Sequence, residues 1–360
     1  MRVLPGYTQV RDPRIILRIE SCTSPMTGSL PPYVFGAPVA AFAVTWMAIT
    51  VLLRIFSDRI LDHPNERSLH QRPVPRTGGL GVAAGIAVSV SLVSPVAWWP
   101  LWIGAVLLVV ISFLDDLINL PVVSRLVMHF VAGSGLVCGL LLGQIGLGWA
   151  AVAVIATVWM INLYNFMDGM DGLAGGMAMI GFSFLSVAAW FGGSSSLALV
   201  SASIAAASGA FLFFNFHPAR MFLGDAGSTT LGFFVAGLGL IGWRDGVWSI
   251  WFPVLVFSPF IIDASVTLLK RIARGERFWK AHREHCYQQL VLSGWSHRKT
   301  ALVEYGLMFL CGIGALMFQW ATANVQIAIL GCWILLTFGI FLGVSWVERR
   351  GAARGVLHEG

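Results

Sequence analysis

Charged residues are scarce in this chain of 360 residues: Asp, Glu, Lys and Arg together make up 11% of it, against about 25% in an average soluble domain. Hydrophobic residues make up 57%, so an ordinary water-facing surface and a disordered chain are both excluded. Cysteine is also scarce, and its five residues show no paired spacing, which excludes a disulfide framework and gives no indication of a cysteine metal site. The composition therefore predicts an integral membrane protein.

Long apolar runs recur along nearly the whole chain. A helix that spans a membrane needs about 20 mostly apolar residues, and about eleven runs approach that length. We predict an all-α integral membrane protein with about eleven transmembrane helices, in a polytopic domain over 35–347 followed by a tail over 348–360. The predicted spans are 35–56, 79–97, 100–114, 122–142, 147–164, 174–191, 197–214, 228–242, 247–269, 300–320 and 325–347.

Basic residues lie mainly on one side of this arrangement. The loops of one side hold 18 Lys and Arg residues, and those of the other side hold only Arg244. Basic loops stay in the cytoplasm, so we expect a cytoplasmic C-terminus and a periplasmic N-terminus. The segment 1–34 departs from this rule, because Arg2 and three further arginines precede the first span. We expect this segment to be an N-terminal extension, with Met26 as an alternative start.

Two adjacent carboxylates, Asp115 and Asp116, end the third predicted span, and no basic residue follows them until Arg125. Ionisable groups at membrane depth are costly and usually functional. Two carboxylates that repel each other need a cation, and Mg²⁺ held by one or two carboxylates plus substrate phosphates fits. Hydration of the helix end is the alternative.

A second polar motif reads N-L-Y-N-F-M-D-G-M-D-G. Its polar residues, Asn162, Asn165, Asp168 and Asp171, recur at every third position, which keeps them roughly on one face if the helix continues. Amides and carboxylates in that pattern suit the ribose or base of a nucleoside, together with a metal. Glycine-rich helix packing is the alternative, but it leaves the four polar side chains unexplained.

A third motif, Phe222–Gly232, places Asp225 between glycines at the start of the next span. Backbone N–H groups at a helix start favour anions, although an N-capping Asp is the simpler reading. Two basic segments, 62–79 and 280–290, lie on the same side, and the second contains His282 and His285 among arginines. Attraction of lipid headgroups is one explanation, and phosphate recognition is the other. Together the motifs indicate a Mg²⁺-dependent reaction on a phosphate-rich substrate at the membrane surface.

In this order, the motifs resemble those of the polyprenyl-phosphate N-acetylhexosaminyl-1-phosphate transferases. The resemblance runs over about 35–346 and rests on the R-x-x-H…P-R-x-G-G loop at Arg67–Gly79, the Asp pair, N-x-x-N-x-x-D-G-x-D-G and F-L-G-D-x-G-S. It implies an eleven-helix fold in a bacterial inner membrane, with the active site on the cytoplasmic face. It also implies transfer of a sugar 1-phosphate from a UDP-N-acetyl sugar to undecaprenyl phosphate, with release of UMP.

The resemblance further implies Mg²⁺ as cofactor, with Mn²⁺ as a substitute, and no nucleic-acid partner; a homodimer stays open. It assigns catalysis to Asp115 and Asp116, metal binding to Asp116, Asn165 and Asp225, nucleotide-sugar binding to Arg76, Asn165, Asp168, Asp171 and Phe222, and phosphate binding to Arg277, His282, Arg283 and His285. Direct displacement and a covalent intermediate on Asp115 are both open.

The 282–288 segment, H-R-E-H-C-Y-Q, lacks the run of consecutive histidines of the peptidoglycan branch. It resembles the O-antigen branch, whose donors carry GlcNAc or an N-acetylated 6-deoxyhexose. Initiators of teichoic acid, common antigen or peptidoglycan are alternatives, and a lipid-linked-sugar transporter is a rival from another class. Asp263, within the ninth predicted span, is either a further site residue or part of an interhelical hydrogen bond.

Overall fold

A computed structural model describes residues 31–56, 60–62, 69, 72–93, 96–276 and 282–356. The predictions for Arg67, His70 and Arg277 lie outside these described residues. So do the proposed start at Met26 and nearly all of the N-terminal extension.

The described chain is almost entirely α-helical, as predicted. A two-residue strand, β1 (Leu61–Asp62), pairs antiparallel with β2 (Val74–Pro75). The helices are α1 Ala37–Phe56, α2 Gly78–Val93, α3 Trp99–Ile118, α4 Val122–Leu141, α5 Leu147–Phe166, α6 Leu173–Phe191, α7 Ser195–Asn215, α8 Asp225–Arg244, α9 Trp251–Val256, α10 Ser258–Ala273, α11 Cys286–Leu292, α12 His297–Trp320 and α13 Ala323–Val356, with 3-10 turns at Pro32–Gly36 and Val96–Trp98.

Nine helices of the described part are long and apolar enough to cross a membrane, which confirms an all-α integral membrane protein. The prediction of eleven spans stays a prediction, because α2 has 16 residues and the ninth predicted span is interrupted. That run was predicted as continuous, but α9 ends and α10 begins around Phe257. Pro259 in the first turn of α10 has no N–H to donate to the preceding turn, so the helix breaks there. At the other end, α13 continues past the predicted boundary at 347, through Val356.

Helix α8 forms the centre of the bundle. Within an apolar stretch of 18 residues in each helix, 83% of the α8 residues are buried, compared with 6% of the α13 residues. Helix α8 packs mainly against α5 and α3. Gly232 permits the contact with α5, because a Cβ atom there would lie 2.6 Å from the carbonyl oxygen of Met160. The first residue of α8 is Asp225, so this central helix presents a carboxylate at one end of the bundle.

Candidate active site

Two loops lie side by side at that end of the bundle and lead into α2 and α8. The N–H of Phe222 donates to Pro75 (2.7 Å), and the N–H groups of Gly78 and Gly79 donate to Phe222 (2.9 Å) and Leu223 (2.7 Å). This extended pairing brings the predicted P-R-x-G-G and F-L-G-D motifs together. Phe222 is half-buried, and its stacking on a uracil stays a prediction.

Asp116 lies beneath these loops. Arg76 donates through Nη2 to the main-chain oxygen of Asp116 at 2.6 Å, and its Nε lies 3.5 Å from Asp116 Oδ1. The other carboxylate oxygen, Oδ2, is buried and has no hydrogen-bond partner within the described residues. Gly224 makes this contact possible: its φ is +72°, and a Cβ atom there would lie 2.4 Å from the Arg76 carbonyl oxygen and 3.0 Å from Asp116 Oδ2.

Arg125 joins the other two predicted carboxylates. Its Nη1 lies 2.9 Å from Asp115 Oδ2 and 3.1 Å from Asp225 Oδ2. The second oxygen of Asp115 accepts from the backbone N–H of Leu120 at 2.6 Å. Both oxygens of Asp115 are therefore engaged, and the first turn of α4 supplies the cation that the Asp pair lacks in its own helix.

Asp225 is held from its other side by α5. Asn165 donates through Nδ2 to Asp225 Oδ1 and to Ser228 Oγ, both at 2.9 Å. An amide nitrogen is a donor and no metal ligand, so Asn165 orients Asp225 in this geometry, and its predicted role as a direct ligand stays a prediction. Thr229 adds a link to α3 through the hydroxyl of Ser112 at 2.9 Å.

Asp168 lies just beyond the end of α5, in the 167–172 loop. Burial raises its pKa well above the ordinary value, and the nearby carboxylates of Asp225, Asp62 and Asp116 raise it further. The expectation that four polar residues share one helical face is wrong for the last two, because α5 ends at Phe166. Asp168 nonetheless lies within electrostatic range of the other carboxylates, and we call Asp115, Asp116, Asp168 and Asp225 the acidic site.

The residues of the acidic site fit a hard divalent cation. Mg²⁺ prefers carboxylate oxygens and substrate phosphates, and the buried, unpartnered Oδ2 of Asp116 is an oxygen of that kind. A buried polar atom without a partner destabilises the folded protein. A cation bound at this oxygen would remove that destabilisation.

Asp171 contacts residues that do not belong to the acidic site. Its Oδ2 lies 2.7 Å from His217 Nδ1 and 3.6 Å from His297 Nδ1, and it accepts from the N–H of Ala219 at 3.2 Å. Burial raises the pKa of Asp171, but the hydrogen bonds from His297 and His217 outweigh this and leave it below its ordinary value. We call these three residues the Asp171 cluster.

The Asp171 cluster holds a proton more readily than a metal ion. The three ligand atoms lie within 4.8 Å of one another, which is compatible with a metal. Two ligands bound tetrahedrally at about 2.0–2.2 Å are separated by more than 3 Å, whereas 2.7 Å between His217 and Asp171 is a hydrogen-bond distance. Asp171 therefore has hydrogen-bond partners outside the acidic site, and its predicted contact with a nucleotide stays a prediction.

The histidine loop, residues 282–285, is anchored by Asp263 of α10. Both carboxylate oxygens of Asp263 accept from the N–H of Cys286 at 3.0 Å, and His285 Nδ1 lies 3.6 Å from Oδ1. His285 stacks on Tyr287, with ring centroids 5.9 Å apart. The Tyr287 hydroxyl donates to the carbonyl of Phe166 at 3.2 Å. The loop therefore lies against the end of α5, next to the loop that carries Asp168.

The basic character of this loop is partly neutralised within the protein. Arg271 and Arg274 both pair with Glu284 and Glu276. Burial, followed by the charges of His285 and Arg271, lowers the pKa of His282 to about 4. His282 is therefore mainly neutral at pH 7 without a ligand, and the negative charge of a bound phosphate would raise its pKa again. Arg283 accepts a bond at its carbonyl from Gln289 at 2.6 Å.

The loop that carries Asp168 is fastened at its far end as well. Tyr305 of α12 donates its hydroxyl to the carbonyl of Gly172 at 2.6 Å, and Asn215 accepts from the N–H of Gly172 at 2.9 Å. Neither contact follows from the motifs. The same is true of the Arg125 bridge, although an arginine in the first turn of an apolar helix is itself a signal.

Known proteins match over most of the chain. Residues 98–243 match the family model described as glycosyl transferase family 4. A protein of Bacillus subtilis (strain 168), described as a probable undecaprenyl-phosphate N-acetylglucosaminyl 1-phosphate transferase, is 32% identical over 344 residues, which cover 89% of this chain and 93% of that protein.

Two further relatives carry similar descriptions. The undecaprenyl-phosphate alpha-N-acetylglucosaminyl 1-phosphate transferase of Escherichia coli (strain K12) is 30% identical and covers 71% of this chain and 76% of that protein. A phospho-N-acetylmuramoyl-pentapeptide-transferase of Synechococcus sp. (strain JA-3-3Ab) is 30% identical and covers 80% of this chain and 93% of that protein.

Proposed function

The chain belongs to the polyprenyl-phosphate N-acetylhexosaminyl-1-phosphate transferases of glycosyl transferase family 4, and we propose that it transfers N-acetylglucosamine 1-phosphate from UDP-N-acetylglucosamine to undecaprenyl phosphate. UMP is the second product. The names of the Bacillus and Escherichia relatives support the sugar and the lipid. An N-acetylated 6-deoxyhexose is the second candidate sugar. The product starts O-antigen or a related cell-envelope polysaccharide, a role that the H-R-E-H-C-Y-Q segment favours over peptidoglycan.

The observation that carries the proposal is the buried, unpartnered Oδ2 of Asp116 beside the bridge that Arg125 makes between Asp115 and Asp225. We propose that Asp116 and Asp225 hold Mg²⁺, for which Mn²⁺ is a substitute. When bound, the ion would neutralise charge on the UDP diphosphate and make its phosphorus more electrophilic. Arg76 fixes Asp116 for this task, and Asn165 fixes Asp225.

The reaction forms one bond and breaks one bond. An oxygen of the lipid phosphate attacks the phosphorus that carries the sugar, and the bond from that phosphorus to the UMP oxygen breaks. The second pKa of a phosphate monoester is about 6, so the acceptor is largely dianionic at pH 7 and needs no strong base. We therefore assign Asp115 a positioning role: it orients Arg125, whose charge would face the reacting phosphates.

This assignment favours direct displacement over a covalent intermediate on Asp115. Hydrogen bonds to both oxygens of Asp115 stabilise its negative charge, which makes the carboxylate a weaker nucleophile. Single-turnover incubation with a donor labelled in the sugar phosphate should leave no label on the protein. Label trapped on Asp115 would refute direct displacement.

We further propose that the acidic site faces the cytoplasm of a bacterial inner membrane. The helix ends that carry the acidic site belong to the side with 18 basic residues, and the opposite side holds only Arg244. UDP-sugars are soluble donors, so a cytoplasmic site would meet its donor directly.

The test is an assay of UMP release from membranes supplied with undecaprenyl phosphate, Mg²⁺ and a panel of UDP-sugars. We expect release with UDP-N-acetylglucosamine, loss of release with a chelator, and none with a UDP-muramyl-pentapeptide donor. Asp116→Asn should abolish release, and Asp245→Asn at the opposite end of α8 is the matched control. Release from no donor would refute the transferase proposal, and use of the muramyl donor would assign the chain to the peptidoglycan branch.

A further inference from the structure

A cavity of about 1160 Å³ lies between α6 and α7, apart from the acidic site. Its walls are mainly apolar, and its lining also includes Phe216, His217, Arg220 and Tyr305. We call this feature the α6–α7 groove. No residue of the acidic site or of the histidine loop lines it.

The shape of the groove fits a long amphiphile better than a compact ligand. Ala202 and Phe216 both line it, and 14 residues of helix at 1.5 Å each span about 21 Å. That length exceeds half of a hydrocarbon core of about 30 Å. The volume also exceeds the 300–1,000 Å³ or so of a usual small-molecule pocket. The groove therefore has room for an acyl chain along α7.

Basic groups stand at one end of the groove. Arg220 is exposed, donates to the carbonyl of Phe213 at 3.2 Å and stacks over the Phe214 ring at 5.1 Å. It has no salt-bridge partner among the residues that the structure describes. His217 shares its Nδ1 with Asp171, which leaves Nε2 as the ring nitrogen available to a ligand. A guanidinium beside an imidazole at the mouth of an apolar channel complements an anionic headgroup.

We propose that the α6–α7 groove binds an anionic glycerophospholipid of the bilayer, with its phosphate at Arg220 and His217 and one acyl chain along α7. Bound phosphate would act on the Asp171 cluster through His217, and so on the loop that carries Asp168. The lipid is thus a ligand distinct from the acceptor, and the proposal does not rest on the transferase function.

The experiment measures lipid binding to the purified full-length protein after delipidation in detergent, by native mass spectrometry and by thermal shift. Phosphatidylglycerol is compared with phosphatidylcholine of the same acyl chains. We expect phosphatidylglycerol to bind at least about tenfold more tightly, because both lipids carry the phosphate but the choline ammonium of phosphatidylcholine cancels its charge and is repelled by Arg220. Equal binding of the two lipids would overturn the proposal.

Two variants locate the site. Arg220→Gln should lower phosphatidylglycerol affinity about tenfold, with Arg244→Gln at the opposite side of the membrane as the matched control. Gly209→Leu should obstruct the chain, since Gly209 lines the groove and a Cβ atom there would lie at ordinary van der Waals distance from Met179, 3.5 Å from Sδ and 3.8 Å from Cγ. Gly331→Leu, at a position with nothing within 4 Å, is its control.

The outcomes separate the possible occupants. If Arg220→Gln loses phosphatidylglycerol binding, that result is sufficient to support the headgroup contact. It does not depend on whether Gly209→Leu folds. Unchanged affinity in Arg220→Gln would overturn the proposal. Displacement of bound phosphatidylglycerol by equimolar undecaprenyl phosphate would assign the groove to the acceptor and would overturn it as well. None of these readings uses a UDP-sugar, so they stand or fall independently of the transferase assay.

Discussion

Substitution of Gly224 by alanine is the sharpest test of the acidic site. Gly224 has a φ of +72° and a ψ of 169°, a backbone region that essentially only glycine adopts and that costs another L-residue about 1–3 kcal/mol. An added Cβ atom would also lie 2.4 Å from the carbonyl oxygen of Arg76 and 3.0 Å from Asp116 Oδ2. The substitution therefore combines a backbone cost with a collision at the proposed metal-binding carboxylate.

The size of the effect follows from the collision. Real Cβ contacts essentially never fall below 3.0 Å, so the contact of 2.4 Å requires a shift of about 0.6 Å (3.0 minus 2.4). The neighbour is backbone and cannot rotate away. Misplacement of reacting groups by about 1 Å can reduce turnover about 100-fold, so we expect Gly224→Ala to lower kcat by about 10- to 100-fold.

Gly246→Ala is the matched control, because Gly246 has a φ of +70° and an added Cβ atom there would meet nothing within 4 Å. Both variants place an L-residue at a positive φ, and only Gly224→Ala adds the collision. The assay is UMP release at saturating donor and acceptor, together with Tm to confirm folding. Equal kcat in the two variants would refute the close approach of Gly224 to Asp116 as a requirement for activity.

Three further predictions address the surrounding residues. Arg125→Gln removes the cation between two carboxylates and should lower kcat/KM about 10- to 100-fold, with partial recovery in Arg125→Lys; unchanged Mg²⁺ titration and turnover would contradict this. Asp263→Asn weakens the acceptor of the Cys286 N–H, so we expect KM for the donor to rise more than kcat falls, whereas an equal fall in stability and all rates would indicate a purely structural role. Asp171 has a lowered pKa, so the stability that it contributes is complete above its unfolded pKa of about 3.9 and is lost as pH falls through its folded pKa. Tm measured from pH 7 to 3 should drop at the acid end in the wild type. Asp171→Asn should have a lower Tm at pH 7 and a smaller change of Tm with pH. Parallel curves of Tm against pH would exclude a contribution of Asp171 ionisation to stability.

The positions of the helices could be predicted from the sequence because membrane spans need length and low charge, and both are visible locally. The interruption at Phe257 could not, because the residues on both sides are apolar and hydropathy does not register a lost hydrogen bond. Pro259 is a local signal of the break, but a proline within a long apolar run also permits a kinked, continuous span.

The residues that form the acidic site could be predicted from the sequence, but the contacts between them could not. Carboxylates at span ends are conspicuous in a chain with few charges, so Asp115, Asp116 and Asp225 stood out. The partner of two of them, Arg125, lies in the next helix, and only the packing of α3, α4 and α8 brings it between them. Asp171 was placed with Asp168 by a three-residue period, which no longer applies once α5 has ended.

The two tyrosines that fasten the 167–172 loop have a thermodynamic consequence. Hydroxyl groups from α11 and α12 bind the carbonyls of Phe166 and Gly172, at the two ends of the loop. The loop therefore loses its conformational freedom when the bundle folds, at about 1–2 kcal/mol per ordered residue, and not when a ligand arrives. Ligand contacts made by Asp168 are then preorganised. If either tyrosine hydrogen bond were lost, the entropic cost of ordering the loop would be incurred when the ligand binds and no longer when the protein folds.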